Sequence, residues 1–551
     1  MRCPWGGILP QTRFRDAIGS GPDCGIIEAP INDTDSKPAG ASAGGGASGK
    51  RAFDNDLYIE LQSAAIRDRA KRFGNKLYLE IGGKLLQDLH AARILPGFEP
   101  DVKLRMLQAL GDQIEFIVCA YAGDIEHRRF RADFGTTYDA EVLRLVDDVR
   151  ARGLAVKSVV LTRFDPSMRA AAAFADRLRQ AGLAVYLHAA IPGYPANVDL
   201  ILSDEGFGRN PFVETSAPIV GVIAPGPSSG KLATALSQVW HENRRGVGAG
   251  YAKYETFPVW NLPLSHPVNV AYEAATADIE DFNQIDPFHL DAYGEKAVNY
   301  NRDVAAFPIL RSLLERLLPA DQVYRSPTDM GVNKVGFAIA DDETVREASR
   351  QEIVRRHLKG EADLVADRAT TATVERLRAI MAACGLKDED RPVVIPAREA
   401  AAAGEAEGKG VRGICCATAL RLPDGTIVTG KNSVLLRSAA AAILNGVKKL
   451  AGIPDALELL PKHVVRSVTE MKAGLLGHKN SNLNVEELLV ALAISAVNNG
   501  AAALALEKLP ALRDCEMHMT HISSASDAAG LRRLGIRVTC DPRFPTKDLS
   551  R

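Results

Sequence analysis

Short apolar runs alternate with helical segments between residues 52 and 240, and this alternation constrains the fold more than any other feature. The runs occupy residues 76–81, 114–120, 158–161, 185–188, 200–202 and 219–223. Strands that alternate with helices form βαβ units and a parallel sheet. The sequence therefore predicts an α/β fold whose N-terminal part is a mainly parallel sheet with helices on both faces.

The pattern divides the chain into four parts. Residues 1–50 are interpreted as a disordered leader, or an over-extended start of translation, because residues 36–50 hold five Gly, four Ala and three Ser. A transit peptide is the alternative. Residues 52–245 form the predicted sheet domain, and residues 246–400 a loop-rich and helical middle region. Residues 397–413, at the end of this middle region and just beyond it, are rich in Ala, Glu and Gly and predict a hinge or exposed loop.

The last part, residues 410–545, predicts a smaller α/β domain. Two strand-like runs, 414–421 and 427–429, flank the turn Pro423-Asp424-Gly425 and predict a β-hairpin. Helical patterns follow at 435–450 and 485–497. A strand at 517–522, a helix at 525–534 and a strand at 536–540 complete the domain.

Charge and hydropathy exclude several classes of partner. The chain has 67 Lys and Arg against 68 Asp and Glu, a formal charge of −1, so it lacks the basic excess that nucleic-acid binding requires. The longest apolar helical stretch, 488–497, is 10 residues long, whereas a membrane span needs about 20. No nucleic-acid or membrane partner is expected. Eight scattered cysteines without a Cys-x-x-Cys pair favour a reducing cytoplasm.

The strongest chemical signal is a Gly-Lys loop that follows the apolar run 219–223. Residues 224–231 read Ala-Pro-Gly-Pro-Ser-Ser-Gly-Lys, and a helical pattern begins directly after them. Glycines let backbone N–H groups approach a phosphate, the helix N-terminus adds positive potential and a lysine reaches the outer phosphates. The binding residues are predicted to be Gly226, Ser228, Ser229, Gly230 and Lys231. Pro225 stands where phosphate loops carry their first Gly, and Leu232 stands where they carry Ser or Thr, so a structural turn is the alternative interpretation.

Two further strand ends carry polar groups. The run 200–202 is followed by Asp204 and Glu205, which are candidates to hold Mg²⁺ or to act as a base, or else are solvated carboxylates. The run 76–81 is followed by Gly82, Gly83 and Lys84, a second candidate phosphate-binding turn. The carboxyl ends of parallel strands share one edge of a sheet, where α/β proteins bind ligands.

No metal site is predicted. His241-Glu242 begins a pattern of zinc proteases, but that motif requires His at position 245, which is Arg. Cys515, His518 and His521 are close in sequence, but residues 518 and 521 of a strand face opposite sides. A zinc cofactor and zinc-dependent proteolysis are therefore not expected.

The Pro-rich segment 258–302 is typical of loops that form a cleft. It holds many groups capable of acid–base chemistry, of which His289 is the catalytic candidate, and Arg302 and Asp303 follow directly at its end. Each of these side chains also has an ordinary structural interpretation.

Five segments resemble the bacterial domain of unknown function 1846 family: residues 79–84, 224–231, 271–278, 326–333 and 516–521, beginning with Leu79-Glu80-Ile81 and ending with Met519-Thr520-His521. The match is collinear from residue 53 to residue 542. The resemblance implies an α/β N-terminal domain, a helical middle and a C-terminal domain similar to the cytidine-deaminase fold. Zinc deaminase activity is not expected, because residues 437–440 read Arg-Ser-Ala-Ala and offer no His-x-Glu element. Members are sometimes labelled ATP-dependent zinc proteases, which Arg245 opposes.

Two hypotheses of different classes follow. The first is a cytoplasmic enzyme that binds ATP, another nucleotide or a phosphorylated metabolite on the N-terminal sheet, with Mg²⁺ as the accompanying ion and the 258–333 loops over the substrate. The second is a non-catalytic assembly or regulatory protein whose loops make contacts within a homo-oligomer. The Gly-Lys loop favours the first hypothesis, and Leu232 favours the second.

Overall fold

The computed structural model describes residues 51–546, apart from residues 84, 86–87, 132–135, 412 and 479. The predicted leader, residues 1–50, and the site candidate Lys84 lie outside the described residues.

The described residues of the N-terminal part form eight strands, six of which make up one sheet. The strands are β1 (Leu77–Ile81), β2 (Ile114–Tyr121), β3 (Phe130–Arg131), β4 (Thr136–Thr137), β5 (Ala155–Thr162), β6 (Ala184–His188), β7 (Ile219–Ile223) and β8 (Gly250–Tyr254). β3 and β4 form a separate short ribbon. Every pairing in the six-stranded sheet is parallel. This confirms the prediction of an α/β fold with a parallel N-terminal sheet.

The strand order β6–β5–β2–β7–β1–β8 contains a reversal. The chain moves from β1 to β2, β5 and β6 in one direction. It then returns to insert β7 between β2 and β1, and β8 is added on the far side of β1. Right-handed crossovers that run in opposite directions place their helices on opposite faces of a sheet. The helices that leave β1 and β7 therefore diverge and open a crevice at the carboxyl ends of these two neighbouring strands.

Buried side chains of all the accompanying α-helices except Leu89–Ile94 join the apolar core of the sheet, whereas those of Leu89–Ile94 belong to a second apolar cluster. The described part of the chain holds eight of these helices. They are α1 (Asn55–Arg72), α2 (Leu89–Ile94), α3 (Val102–Gln108), α4 (Ala122–Glu126), α5 (Tyr138–Arg150), α6 (Arg169–Gln180), α7 (Val198–Ile201) and α8 (Lys231–Arg244).

Two sequence predictions for this part are wrong. The predicted strand at 200–202 is the end of helix α7 and the turn after it, because the Asn197 side chain accepts a hydrogen bond from the Leu200 amide and caps a helix there. The strand β8 was expected to be loop, because Tyr and Lys interrupt its apolar residues. The sheet therefore continues past residue 245, where the predicted domain ends.

The middle region is helical with a short two-stranded ribbon. Its elements are α9 (Pro267–Ala275), β9 (Asn283–Ile285), α10 (Pro287–Tyr293), β10 (Val298–Tyr300), α11 (Asn301–Leu317), α12 (Pro327–Met330), α13 (Asp342–Val365), α14 (Thr371–Ala383) and α15 (Val394–Ala406). Most of the predicted hinge at 397–413 is instead helix α15, because alanine is the strongest helix former.

The C-terminal sheet has four strands in the order β12–β11–β13–β14. The predicted hairpin is present as antiparallel β11 and β12, and β13 is antiparallel to β11 and parallel to β14. The elements are β11 (Ala417–Arg421), β12 (Ile427–Lys431), α16 (Ser438–Leu450), α17 (Lys462–Glu470), α18 (Val485–Ala496), α19 (Gly500–Glu507), β13 (Glu516–Met519), α20 (Ala525–Arg533) and β14 (Arg537–Cys540).

Within the described residues, none of the helices is both long enough and apolar enough to span a membrane.

A buried arginine fixes the segment between α14 and α15 to the C-terminal sheet. The Arg391 side chain is only 1% exposed. Its guanidinium donates to the Thr539 hydroxyl at 3.2 Å and to a carboxylate oxygen of Glu516 at 3.3 Å. Burying a charge without a partner is costly, so this pairing couples the middle region to the last domain.

Replacement of Arg391 by Ala should lower the free energy of unfolding by about 3 kcal/mol, because it removes one partner of a buried ion pair and leaves Glu516 without its cation. Urea unfolding of the full chain measures this loss. The exposed Arg466 of α17 is the control, and R466A should change stability by less than about 0.5 kcal/mol. An equally small effect of R391A would contradict the assignment.

Candidate functional site

The Gly-Lys loop joins the end of β7 to the start of α8. Two of its residues adopt left-handed backbone conformations, with φ of +54° at Ser228 and +88° at Gly230. The end of β5 holds the loop in this shape. Thr162 donates its hydroxyl to the Ser229 carbonyl at 2.7 Å, and the Arg163 guanidinium donates to the Ser228 carbonyl.

Close packing requires glycine at two loop positions. A Cβ atom at residue 226 would lie 2.7 Å from the Tyr138 ring, and one at residue 230 would lie 2.9 Å from the Thr162 side chain. Real Cβ contacts are longer than 3.0 Å, so neither position accepts a larger residue without movement. Gly226 and Gly230 therefore have a structural reason to be glycine, whatever the loop binds.

The first turn of α8 offers hydrogen-bond donors to the crevice. Among the described residues, no side chain caps the start of this helix. The Ser229 hydroxyl beside it is buried, with the residue 4% exposed, and has no hydrogen-bond partner within the described part of the chain. Unsatisfied donors at a helix N-terminus form a site suited to an anion.

Two cavities meet at this loop. The first, here called the β5–β6 cavity, has a volume of about 540 Å³ and lies at the carboxyl ends of β5 and β6, beside Ile191, Tyr194 and Leu232. The second, here called the β1–β8 cleft, has a volume of about 520 Å³ and lies between β1, β7, β8 and the start of α11. Glu80, Ser228 and Lys231 line both. Each space is large enough for a metabolite.

Lys231 and Glu80 lie opposite each other where the cavities meet. The Lys231 ammonium is 3.9 Å from a Glu80 carboxylate oxygen, and the other oxygen accepts a hydrogen bond of 2.8 Å from the Tyr251 hydroxyl. Glu80 is on β1, next to the loop-bearing strand β7, and pairs with Val222 in register. The sheet topology thus places a carboxylate next to the Gly-Lys loop.

A charged cluster occupies the β1–β8 cleft. The Lys253 ammonium lies 2.6 Å from Asp303 and 3.1 Å from Glu255, and these side chains are 15%, 21% and 22% exposed. Burial opposes the charge of Lys253, but the two carboxylates outweigh it and hold the lysine pKa well above its ordinary value.

Glu255 is the perturbed carboxylate of this cluster. Burial raises its pKa to about 7, because the attraction of Lys253 is offset by the negative charges of Asp303 and Glu80. A carboxyl group with a pKa near neutrality can take up and release a proton at physiological pH, and such groups concentrate at functional sites.

The predicted turn at Gly82 and Gly83 supports this cluster. The Gly82 N–H donates to the Tyr254 carbonyl at 2.8 Å, and the Glu255 side chain occupies the space that a Cβ at residue 82 would need. Gly83 has φ of +69°, a conformation that favours glycine. Both residues line the cleft, so the structure does bring them beside the Gly-Lys loop.

Asp204 and Glu205 do not join this site. Asp204 is exposed and pairs with Arg244 at 3.2 Å, at the last residue of α8. The Gly-Lys loop precedes the first residue of that 14-residue helix, about 20 Å away along its axis. Glu205 accepts a hydrogen bond from Ser203 in the same turn. Because the strand expected at 200–202 is absent from this described segment, the prediction that these carboxylates act at the loop is corrected.

The histidine candidates have structural partners. The His289 ring bonds the Ser326 hydroxyl at 2.9 Å, and His289 lies outside the residues that line the two cavities. His518 bonds Thr539 and Asp541 inside the C-terminal domain. Over the described ranges, no group of three or more His, Cys, Asp or Glu side chains is placed to hold a metal ion.

Sequence reasoning missed Glu80, Lys253 and Glu255 as members of one site. A signal existed for Glu80, which is the only charged residue of the otherwise apolar β1. Asp303 was in the polar segment that the sequence marked, but its partner Lys253 lies on the strand that was not predicted.

Together, the fold and the site define a two-part α/β protein with a charged, Gly-Lys-bearing crevice at the switch point of a parallel sheet. The chain belongs to the family described as domain of unknown function DUF1846: the N-terminal domain matches residues 51–385 and the C-terminal domain residues 389–550. This confirms the predicted family.

The chain is also similar to curated relatives over about nine tenths of its length. The chain is 49% identical over 500 residues to a UPF0371 protein of Clostridium botulinum strain Alaska E43, covering 91% of this chain and 99% of the relative. It is 52% identical over 495 residues to a UPF0371 protein of Corynebacterium aurimucosum, covering 90% and 97%.

The pKa of Glu255 predicts a pH-dependent stability difference. This group favours the folded state fully below its ordinary pKa of 4.5, and the contribution is lost as the pH rises through about 7. E255Q removes this ionisation. The stability of E255Q relative to the wild type should therefore rise between pH 5 and pH 8, by up to roughly 3 kcal/mol.

Urea unfolding at both pH values measures this difference. Exposed Glu399 of α15 is the matched control, and E399Q should differ from the wild type by the same amount at each pH. A difference between E255Q and the wild type that does not change with pH would show that Glu255 titrates normally.

Proposed function

We propose that this protein is an enzyme that binds the phosphate groups of a nucleotide at the Gly-Lys loop. The observation that carries the proposal is the placement of Lys231 and an uncapped helix start, among the described residues, in the crevice between the carboxyl ends of β7 and β1. Phosphates bind at helix N-termini in such crevices, where backbone N–H groups and a lysine share the negative charge. The two flanking cavities leave room for the rest of the ligand.

Glu80 supports a nucleotide accompanied by Mg²⁺. In phosphate-loop enzymes an acidic residue on another strand helps to hold the ion against the phosphates. Glu80 has this position, 3.9 Å from the loop lysine. Mg²⁺ in such sites is held by one or two carboxylates together with phosphate oxygens and water, so a preformed group of three protein ligands is not needed.

The loop departs from the usual pattern at two points, because Pro225 stands at the position of the first glycine and Leu232 replaces the hydroxyl residue after the lysine. Ser229 has a buried hydroxyl without a partner in the described chain, two residues before Lys231. We assign to Ser229 the hydroxyl contact with the ligand that Leu232 lacks.

The assembly hypothesis keeps one supporting observation. Val490, Ile494 and Val497 form an apolar stripe on α18 and the residue that follows its end, and they are 59%, 53% and 78% exposed. Contiguous apolar surface of this kind marks contacts between proteins. A homo-oligomer formed through the C-terminal domain is compatible with nucleotide binding on the N-terminal sheet.

We also propose that the C-terminal domain is related to the cytidine-deaminase fold. The supporting observation is its order of elements: a hairpin, a helical segment that starts with α16, and then β13, α20 and β14. Residues 437–440 provide no zinc-binding element, so the relation concerns the fold and not the chemistry. The cytoplasmic location rests on the cysteine pattern and stays a prediction.

Saturating MgATP should stabilise the full chain by about 2.7 kcal/mol at 100 times Kd, measured as a rise in the midpoint of thermal unfolding. K231A should abolish the rise, because it removes the loop cation. Lys508 is also half-buried but lies in the C-terminal domain, and K508A should retain the full rise. If GTP, ATP and inorganic phosphate all leave the wild-type midpoint unchanged, the proposal is wrong.

E80Q tests the role of the ion. Glutamine still accepts the hydrogen bond of Tyr251 but removes the charge that Mg²⁺ requires. In the wild type, Mg²⁺ should increase the stabilisation by ATP, whereas in E80Q stabilisation by ATP should be the same with Mg²⁺ or with EDTA. An unchanged Mg²⁺ effect in E80Q would place the ion elsewhere.

A further inference from the structure

The geometry points to phosphoryl transfer between two substrates, with the nucleotide base in the β5–β6 cavity and a hydroxyl-bearing acceptor in the β1–β8 cleft, where Glu255 takes the acceptor's proton. This inference rests on the proposed nucleotide site and assigns a second substrate to the same crevice.

The position of the loop supports two ligands. Glu80, Ser228 and Lys231 line both cavities, so a phosphate chain held at the loop is reached from the β5–β6 cavity on one side and from the β1–β8 cleft on the other. The volumes of about 540 and 520 Å³ are each sufficient for one metabolite.

Beyond the shared residues, the β5–β6 cavity suits an uncharged ring. Ile191, Tyr194 and Leu232 give it apolar and aromatic surface. Arg163 also lines this cavity, but its guanidinium donates to the Ser228 carbonyl and lies over the Tyr121 ring. Burial lowers the pKa of His188 in its wall to about 4, so this imidazole is neutral at physiological pH. A nucleobase has the flat, uncharged faces that stack on such a surface.

The β1–β8 cleft differs in charge and suits a polar acceptor. It holds Lys253, Asp303 and Glu255, and Arg302 pairs with Asp281 at its rim. Side chains with paired donors and acceptors recognise hydroxyl groups by hydrogen bonding, whereas an apolar molecule would leave them unpaired. The expected acceptor is therefore a polyhydroxylated metabolite.

Glu255 is positioned to handle the proton in this cleft. The groups that face it are Lys253 on β8, which ends one residue before Glu255, Asp303 on α11, Glu80 on β1 and Tyr272 on α9. Their net negative charge, together with burial, favours uptake of a proton by the Glu255 carboxylate. Gly82 allows this side chain to lie directly against the end of β1, beside the loop.

In the transfer step, the phosphoryl group moves from the nucleotide to the acceptor hydroxyl. The acceptor hydroxyl oxygen forms a bond to the terminal phosphorus of the nucleoside triphosphate, and its proton moves to Glu255. The bond from phosphorus to the bridging oxygen breaks, and its electron pair leaves with the nucleoside diphosphate. Lys231 would stabilise the charge on the transferred group, and Glu80 would hold the Mg²⁺ that supplies further positive charge there.

The experiment follows phosphoryl transfer from MgATP by the full chain, with water and with 1 M glycerol as surrogate acceptors, using ³¹P NMR. Wild type should form ADP with phosphate and with glycerol phosphate. E255Q should be about 100-fold slower or more, while keeping the wild-type rise in unfolding midpoint with MgATP. E399Q, an exposed replacement of the same type, should keep the wild-type rate.

The pH profile separates a proton acceptor from a structural role. The wild-type rate should rise with pH and level off above about 7, and this rise should be absent in E255Q. Binding of MgATP without transfer to either acceptor, or equal rates and profiles for E255Q and wild type, would overturn the inference and leave the nucleotide site standing. No rise in midpoint with any nucleotide would instead overturn the proposed function itself.

Discussion

Insertion of β7 between β2 and β1 is the constraint on which the rest of the structure depends. It joins strands that are distant in sequence, places an apolar strand at the centre of the sheet and sends the helices after β1 and β7 to opposite faces. The same insertion brings the Gly-Lys loop beside Glu80. A crevice with a helix start, a lysine and a carboxylate thus follows from strand order, before any ligand is considered.

Electrostatic balance distinguishes the two sides of this crevice. Lys253 lies among carboxylates from different elements of the fold. Burial strengthens both the attraction between Lys253 and these carboxylates and the repulsion among the carboxylates. The lysine stays charged, whereas the nearby Glu255 holds its proton up to about neutral pH. A buried ion pair contributes little net stability, so we interpret this arrangement as serving chemistry rather than folding.

The sequence predicted correctly those segments whose structure follows from their own residues. The run 219–223 matches β7 residue for residue, because five consecutive apolar residues bounded by a Gly-rich loop describe a central parallel strand. The hairpin around Gly425 was predicted from turn chemistry. The strand predicted at 200–202 is wrong because its apolar residues are equally typical of the end of a helix. The side chain of Asn197 caps a helix here and so favours the helix over the strand.

The candidate site was harder to predict, because its members meet only through tertiary contacts. Gly226 and Lys231 belong to a local motif and were found. Glu80 and Lys253 come from two strands that are adjacent in the sheet but about 170 residues apart in sequence (253 − 80 = 173), and Glu255 directly follows the second of these strands. Local patterns contain no information on such pairings, because the strand order decides which residues meet.

The strand order also has a consequence for biosynthesis. β1 and β2 emerge early from the ribosome, but they cannot pair with each other in the native sheet because β7 lies between them. β7 starts 98 residues after β2 ends (219 − 121), so it is synthesised later. At a translation rate of about 5–20 residues per second, the position of β7 in the sheet stays empty for roughly 5–20 s. Both strands then present open edges that attract wrong partners. Because the crevice needs β7 beside β1, it is among the last parts of the sheet to form.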